Sequence, residues 1–377
     1  MTSEQILMVD LKTQYLRLKV DIDLAIQNVI NEGAFINSSQ VKKFAAELSQ
    51  FLSCKRVIPC ANGTDALQIA MMACDFKPGD EVIVPAFTYV ATVEVIVLLG
   101  LTPVFVDVNE HDFNINVEAI KEHVSERTVG IVPVHLFGQC ADMEKIMAIA
   151  QDRNIKVIED TAQAIGATYF YKDGKSQSAG TIGNIGTTSF FPSKNLGCFG
   201  DGGALITNDL DLAKKCHMIA NHGQSEKYVH DVIGVNSRLD TLQAAMLSVK
   251  LKQLNDFAKR RQLVAAKYDK EFSTIPEIEF PSRNSNSTHV FHQYTVQIEE
   301  GKRDDLKLYL HEKNIPSMIY YPIPVHLQKA YSGYGYKAGQ FPITENLCKK
   351  VLSLPIHTEM LPEQQEYIIE NIRSYFK

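Results

Sequence analysis

Gly186-Thr187-Thr188-Ser189-Phe190-Phe191-Pro192-Ser193-Lys194-Asn195-Leu196-Gly197-Cys198-Phe199-Gly200-Asp201-Gly202-Gly203-Ala204 is the stretch on which the reading of this chain turns. Two apolar runs, 185–191 and 203–207, read as strands, and the glycine-rich bend between them carries a single lysine, Lys194. An amine set among Phe190, Phe191, Leu196 and Phe199 has its charged form disfavoured by desolvation. That is how a lysine becomes a nucleophile able to form a Schiff base at neutral pH. The plainer alternative is a lysine snorkelling out of a surface loop. Its company in the sequence decides between the two.

Working outward, short β-branched runs at 56–58, 81–85, 103–108, 129–134 and 156–158 alternate with helical patterns at 64–74, 88–99, 117–123 and 143–152. An amphipathic segment, 14–32, precedes them. Such alternation builds βαβ units, so the expected fold is α/β with a mostly parallel sheet covered on both faces and ligands at the carboxyl ends of the strands. Gly63-Thr64, Phe87-Thr88-Tyr89 and Asp160 each follow or end such a run. Residues 237–272 read as one long helix or a bent pair linking two domains, 1–252 and 253–377. Beyond a polar loop at 282–287, a strand at 290–298, a helix at 304–313, a strand at 317–321 and two closing helices predict a smaller α+β domain.

Composition narrows the function classes. The chain has 377 residues, 45% of them apolar, which is enough for a large core. A net charge of −6 and no lysine or arginine run longer than the three residues 259–261 give no footprint for nucleic acid. No apolar run approaches the roughly 20 residues that span a bilayer, and residues 1–10 lack a basic-then-apolar leader pattern, so the expectation is a cytoplasmic protein without a membrane contact. Seven scattered cysteines with no C-x-x-C pair predict reduced thiols rather than a metal site or a disulfide frame.

A pyridine-aldehyde cofactor such as pyridoxal 5'-phosphate needs a lysine, an acid at the ring nitrogen, a phosphate cradle and an aromatic over the ring. Each has a candidate. Asp160 ends a buried strand, where a carboxylate facing the ring nitrogen keeps it protonated; capping the next helix is its alternative role. Gly63 and Thr64 open a helix whose free N–H groups suit a phosphate, and the Ser189 hydroxyl is a further donor. Tyr89 suits stacking on the ring, or simple core packing.

Together Cys60-Ala61-Asn62-Gly63-Thr64-Asp65-Ala66-Leu67, Pro85-Ala86-Phe87-Thr88-Tyr89-Val90-Ala91-Thr92, Val157-Ile158-Glu159-Asp160-Thr161-Ala162-Gln163, 189–204 and Asn236-Ser237-Arg238-Leu239-Asp240 resemble the DegT/DnrJ/EryC1/StrS nucleotide-sugar aminotransferases over nearly the whole chain. The resemblance implies the aspartate-aminotransferase fold. That means a large domain with a mainly parallel seven-stranded sheet, a small C-terminal domain, and a homodimer with shared active sites. It implies Lys194 as Schiff-base lysine and proton shuttle, Asp160 as partner of the ring nitrogen, and Gln163 as a contact to the ring hydroxyl. It further implies Thr64, the Asp65 main chain and Ser189 on the phosphate, Tyr89 on the ring, and Asn236 reaching the phosphate across the dimer.

Arg238 would then point into the neighbour's sugar site; a surface ion pair with Asp240 is the alternative. Relatives with histidine in place of the lysine are dehydratases, so Lys194 implies transamination, with L-glutamate giving 2-oxoglutarate and a nucleotide-linked keto sugar accepting the amine. His222-Gly223-Gln224 and the run from Ile233 to Ala245 are most similar to enzymes aminating C3 of UDP-2-acetamido-2-deoxy-3-oxo-glucuronate, whose carboxylate suits the Arg238 fork. Enzymes of dTDP-3-keto-6-deoxyhexoses share the Asn-Ser-Arg-Leu-Asp run. Tyr320 stands where many relatives have histidine, beside Tyr321, and His222 and His326 are either sugar or pyrophosphate contacts or solvated loop residues.

Overall fold

In a parallel sheet covered on both faces, successive residues of a strand must feed opposite cores, and this chain supplies apolar side chains at both parities. In the computed structural model, which describes residues 5–377, Val82 and Val84 of one strand enter one core cluster while Ile83 between them enters another.

The elements run α1 (Leu11–Glu32), α2 (Ser39–Leu52), β1 (Arg56–Cys60), α3 (Gly63–Ala73), β2 (Glu81–Pro85), α4 (Ala91–Leu98), β3 (Thr102–Val106), α5 (Val117–His123), β4 (Thr128–Ile131), α6 (Met143–Arg153) and β5 (Lys156–Asp160). A side hairpin follows, β6 (Thr168–Phe170) and β7 (Ser176–Ser178), then β8 (Ile185–Ser189), β9 (Gly203–Thr207) and α7 (Leu210–Ala220). A second hairpin, β10 (Gln224–Glu226) and β11 (Val229–His230), precedes α8 (Thr241–Leu251) and α9 (Leu254–Phe272). The chain closes with β12 (Ile278–Glu279), β13 (Tyr294–Ile298), α10 (Arg303–Glu312), α11 (Pro342–Lys350), β14 (Val351–Leu354) and α12 (Pro362–Tyr375).

Seven strands form the main sheet in the order β1-β9-β8-β5-β4-β2-β3. β3, β2, β4, β5 and β8 pair in parallel, and β9 alone runs against them, antiparallel to both β8 and β1. One face is buried by α3, α4 and α7, through Leu67, Met71, Val95, Ile96 and Ile219 among others. The other is buried by α5 and α6 through Ile120, Met143, Ile146 and Ala150. A separate antiparallel sheet, β12-β13-β14, shares a core with α9, α10 and α12 built on Tyr268, Phe272, Leu306, Leu310, Leu352 and Ile368.

Several expectations needed adjustment. Residues 317–321 are not a strand: Met318 makes one bridge to Ser353 of β14, and the strand pairing with β13 is β14 itself, 30 residues on. Only the second half of 290–298 is a strand, because its first half is a strap whose Val290 carbonyl accepts from Asn195 in the β8–β9 turn. The segment 237–272 is the bent pair, α8 and α9.

Candidate active site

The strand register itself assembles the site. Gly203, first residue of β9, lies opposite both Ser189, last of β8, and Cys60, last of β1. The β8–β9 turn carrying Lys194 therefore stands at the same sheet edge as the β1–α3 junction. The approach there is close: a Cβ on Gly63 would lie 2.7 Å from the Ser189 Cβ. Glycine at 63 is thus a packing requirement that lets the N-terminus of α3 meet Ser189.

Asn62 caps α3, its Oδ1 accepting the Asp65 N–H at 2.8 Å. Among the described residues the N–H groups of Gly63 and Thr64 have no partner, leaving two donors and the positive end of the helix dipole directed outward. Ser189 Oγ accepts the Phe191 N–H at 3.2 Å, which frees its own hydrogen to donate. Donors of this kind make a phosphate cradle.

Asp160, at the end of β5, is 6% exposed. Its carboxylate accepts from the Thr92 hydroxyl at 2.9 Å and from the Ala162 N–H at 3.1 Å. The N-cap alternative fails, because no helix follows Asp160. Its neighbour Glu159 points to the opposite face and is fully enclosed, accepting the N–H groups of Gly180, Ile182 and Gly183 and bonding His135 Nε2 at 2.9 Å. Since His135 Nδ1 accepts the Ala141 N–H, the ring donates through Nε2. One acid of the pair is free for chemistry and the other is structural; strand alternation separates them.

Lys194 is half-buried. Desolvation lowers its amine to about 8, with the Asp160 carboxylate nearby opposing the shift. At pH 7 roughly a tenth of such an amine is neutral, against well under a thousandth of an ordinary lysine. The turn is pinned on both sides. Asn195 Nδ2 donates to Val290 O at 2.9 Å, and Lys250 of α8, buried, donates to Gly197 O at 2.5 Å. Beside it on the strap, His292 is kept neutral by burial and by the cations of Lys194 and Arg261.

Gln163, 6% exposed, accepts the Phe137 N–H on Oε1 at 2.7 Å and donates from Nε2 to the Tyr321 hydroxyl at 3.0 Å. The Tyr321 ring stands 5.9 Å from Phe87, 6.2 Å from Tyr89 and 5.9 Å from Tyr320. Tyr89 itself is 57% exposed at the rim, open to a ring laid against it.

Asn236 and Arg238, with Ile36, Ala61, Asp201, Asp240 and Gln243, line a cavity of about 500 Å³ bordered by the β1–α3 junction and the end of the β8–β9 turn. Arg238 makes no ion pair among the described residues, its one side-chain hydrogen bond being 3.4 Å to Asn221 Oδ1, so the alternative reading of a pair with Asp240 is not met. His326 is buried against Phe105 and Phe341, with Nε2 3.3 Å from Glu345 Oε1. It is buried, so the reading of a solvated loop histidine is not met.

Sequence reasoning missed Thr92, Glu159, Lys250 and the strap. Only Thr92 left a trace, the Thr88/Thr92 pair one turn apart whose hydroxyls lie 3.4 Å from each other.

These residues fit pyridoxal 5'-phosphate. The donors at Gly63, Thr64 and Ser189 suit a dianion, the held carboxylate of Asp160 suits a protonated ring nitrogen, and the depressed amine of Lys194 suits an aldehyde. A family model described as the DegT/DnrJ/EryC1/StrS aminotransferase family matches residues 17–373. The chain is 45% identical to a "pleiotropic regulatory protein" of Geobacillus stearothermophilus, covering 98% of each. It is 43% identical to the UDP-2-acetamido-2-deoxy-3-oxo-D-glucuronate aminotransferase of Pseudomonas aeruginosa, over 93% of this chain and 94% of that one. Its fold matches the crystal structure of S. venezuelae DesV with a TM-score of 0.95 at 35% identity, covering 100% of this chain and 99% of that one.

Proposed function

The chain belongs to the DegT/DnrJ/EryC1/StrS aminotransferase family, and from that premise we propose that it is a pyridoxal-phosphate-dependent aminotransferase of nucleotide-linked keto sugars. Its proposed acceptor is UDP-2-acetamido-2-deoxy-3-oxo-glucuronate, aminated at C3 with L-glutamate as donor. The observation that carries the reading is the convergence of three strand ends on one edge: Lys194 after β8, Asp160 ending β5, and the free N–H groups of Gly63 and Thr64 after β1.

The cofactor supplies, when bound, an electron sink that lets an amino group be exchanged for a keto group. Asp160, held by Thr92 and Ala162, keeps a proton on the ring nitrogen. The Lys194 amine takes the proton from Cα of the donor in one half-reaction and returns one to the sugar carbon in the other. Gly63, Thr64, the Asp65 main chain and Ser189 bind the phosphate, Gln163 meets the ring hydroxyl, and Tyr89 covers one face. Tyr320 and Tyr321 border the sugar.

Asn236 and Arg238 act on the neighbouring copy of a homodimer, Asn236 at the phosphate and Arg238 as a bidentate partner of the sugar or glutamate carboxylate. Two things support this. Among the described residues Arg238 lines a cavity without an ion-pair partner, and the hairpin and loop before it present Tyr228 and Ile233 at 80% and 86% exposure.

The test is to prepare the pyridoxamine form with glutamate, then offer UDP- and dTDP-linked 3-keto sugars and follow the return of the yellow colour. The UDP-linked uronate should restore it fastest. Faster return with a dTDP-3-keto-6-deoxyhexose would move the assignment to that class. No bleaching by any amino acid would leave a cofactor-binding protein without transaminase activity.

A further inference from the structure

The Gln163 amide has a fixed orientation, and the reason lies in its partners. Phe137 presents a backbone N–H, which can only donate, so the group 2.7 Å away must be Oε1. That leaves Nε2 with two hydrogens. One goes to the Tyr321 hydroxyl at 3.0 Å; the other has no partner among the described residues. Phe137 is held for this task by a tight turn, its φ of 57° and that of Gly138, 115°, both lying in the left-handed region. A Cβ on Gly138 would come within 2.8 Å of the Phe291 backbone nitrogen.

Tyr321 is equally constrained. Its segment is tied to β14 by the paired Met318 and Ser353 bonds, 3.1 and 2.7 Å, and to the sheet edge after β2 by Val325 N–H on Ala86 O at 3.1 Å. Between those anchors its ring sits edge-on to Phe87. The phenol therefore reaches the end of β5 from the C-terminal part of the chain, 158 residues away in sequence from Gln163.

We propose that Tyr321 is a positioning residue which, by occupying one N–H of the Gln163 amide while Phe137 holds the carbonyl, aims the remaining N–H at the cofactor's ring oxygen. This rests on the reading above in which Gln163 meets that oxygen. A donor at this place stabilises the ring oxygen as its anion, whereas a flipped amide would oppose it with a carbonyl. The two anchors of the amide come from different parts of the fold, the 136–138 turn and the 318–325 segment. The protonation balance of the cofactor thus depends on how the C-terminal part seats against the sheet.

The experiment is a pH titration of the visible absorption band of the holoenzyme in the native protein, Tyr321→Phe, Gln163→Leu and the double variant. Phenylalanine keeps the ring packing and removes only the acceptor. The titratable groups around the phenol are Gln163's neighbour Asp160, and Tyr320 and Tyr89; all three are unchanged in every variant. Tyr321→Phe should raise the midpoint by about half to one pH unit, the scale of one neutral hydrogen bond. Gln163→Leu should raise it further, and the double variant should match Gln163→Leu alone, since Tyr321 acts through the amide.

A shift in Gln163→Leu with none in Tyr321→Phe overturns this inference and leaves the cofactor reading intact. A Tyr321→Phe shift that persists undiminished on the Gln163→Leu background also overturns it, because the phenol would then act directly. No shift in Gln163→Leu overturns the assignment of Gln163 to the ring oxygen and the inference with it. A purely structural role for Tyr321 would lower the unfolding midpoint and leave the titration where it was.

Discussion

Two lysines of this molecule lie within one loop's reach of each other, Lys250 buried and Lys194 half-buried, and desolvation has pulled each down to about 8. Lys250 donates to Gly197 O at 2.5 Å and lies 5.4 Å above the Phe199 ring. Among the described residues the Lys194 amine donates to nothing in its own chain, and a carboxylate, Asp160, stands near it. Both sites bear the desolvation cost of a buried amine. At Lys250 a hydrogen bond offsets it, and the result is a fixed turn. At Lys194 the cost is left standing, and the amine keeps its hydrogens unused, as the proposed nucleophile would. Low pKa alone does not mark a catalytic lysine; what separates the two is whether the fold has already used the amine's hydrogens.

The sharpest break of this comparison is exchange of function. Lys194→Ala should lose transamination by on the order of 10⁴-fold or more and lose the yellow colour. Lys250→Met should keep the colour and stay within about tenfold in kcat. Parallel losses of colour in both would erase the distinction. Next is the acid: Asp160→Asn should reduce kcat/KM by about 10²–10⁴-fold with cofactor still bound, measured by steady-state kinetics with glutamate.

Stability separates the pair in the opposite sense. The folded pKa of Lys194 lies below its unfolded value, so the unfolded chain binds more protons and the burial is unfavourable at neutral pH. Cofactor-free Lys194→Met should therefore gain up to roughly 3 kcal/mol at pH 7, and the gain should shrink as pH rises through the window from about 8 to 10.5. Lys250→Met should show no such gain, because leaving Gly197 O unpaired costs about 1–3 kcal/mol. Denaturant titrations at pH 7 and 10 read both. The smallest effect is expected at Thr92: Thr92→Val removes one of two donors to Asp160, and kcat should fall by about tenfold or less while the unfolding midpoint moves little.

The α/β class and the strand ends that carry the candidate site were legible because they depend on local pattern. Apolar runs at 81–85, 156–158 and 203–207 became β2, β5 and β9, and glycine-rich turns marked strand ends. The family match covers residues 17–373 and so bears out the family and the fold class. What was not legible depends on partners distant in sequence. Nothing near residue 250 announces that its amine will meet Gly197, and nothing near 321 announces Gln163. Residues 317–321 read as a strand from their β-branched and aromatic content, yet the small sheet gives its pairing edge to β14 and leaves 317–321 crossing the site. His326 and Arg238 show the same dependence on distant partners: the histidine is buried against Phe105 and Phe341, and among the described residues the arginine forms no ion pair with Asp240, two positions on.

The central claim is that Lys194 is the amine that holds the cofactor. Purified holoprotein should be reduced with borohydride, digested, and mapped by mass spectrometry. The account predicts one peptide, containing Lys194, carrying the pyridoxyl mass, with Lys250 unmodified. Label on Lys250 or another lysine, or a colourless protein that takes no label, would contradict it.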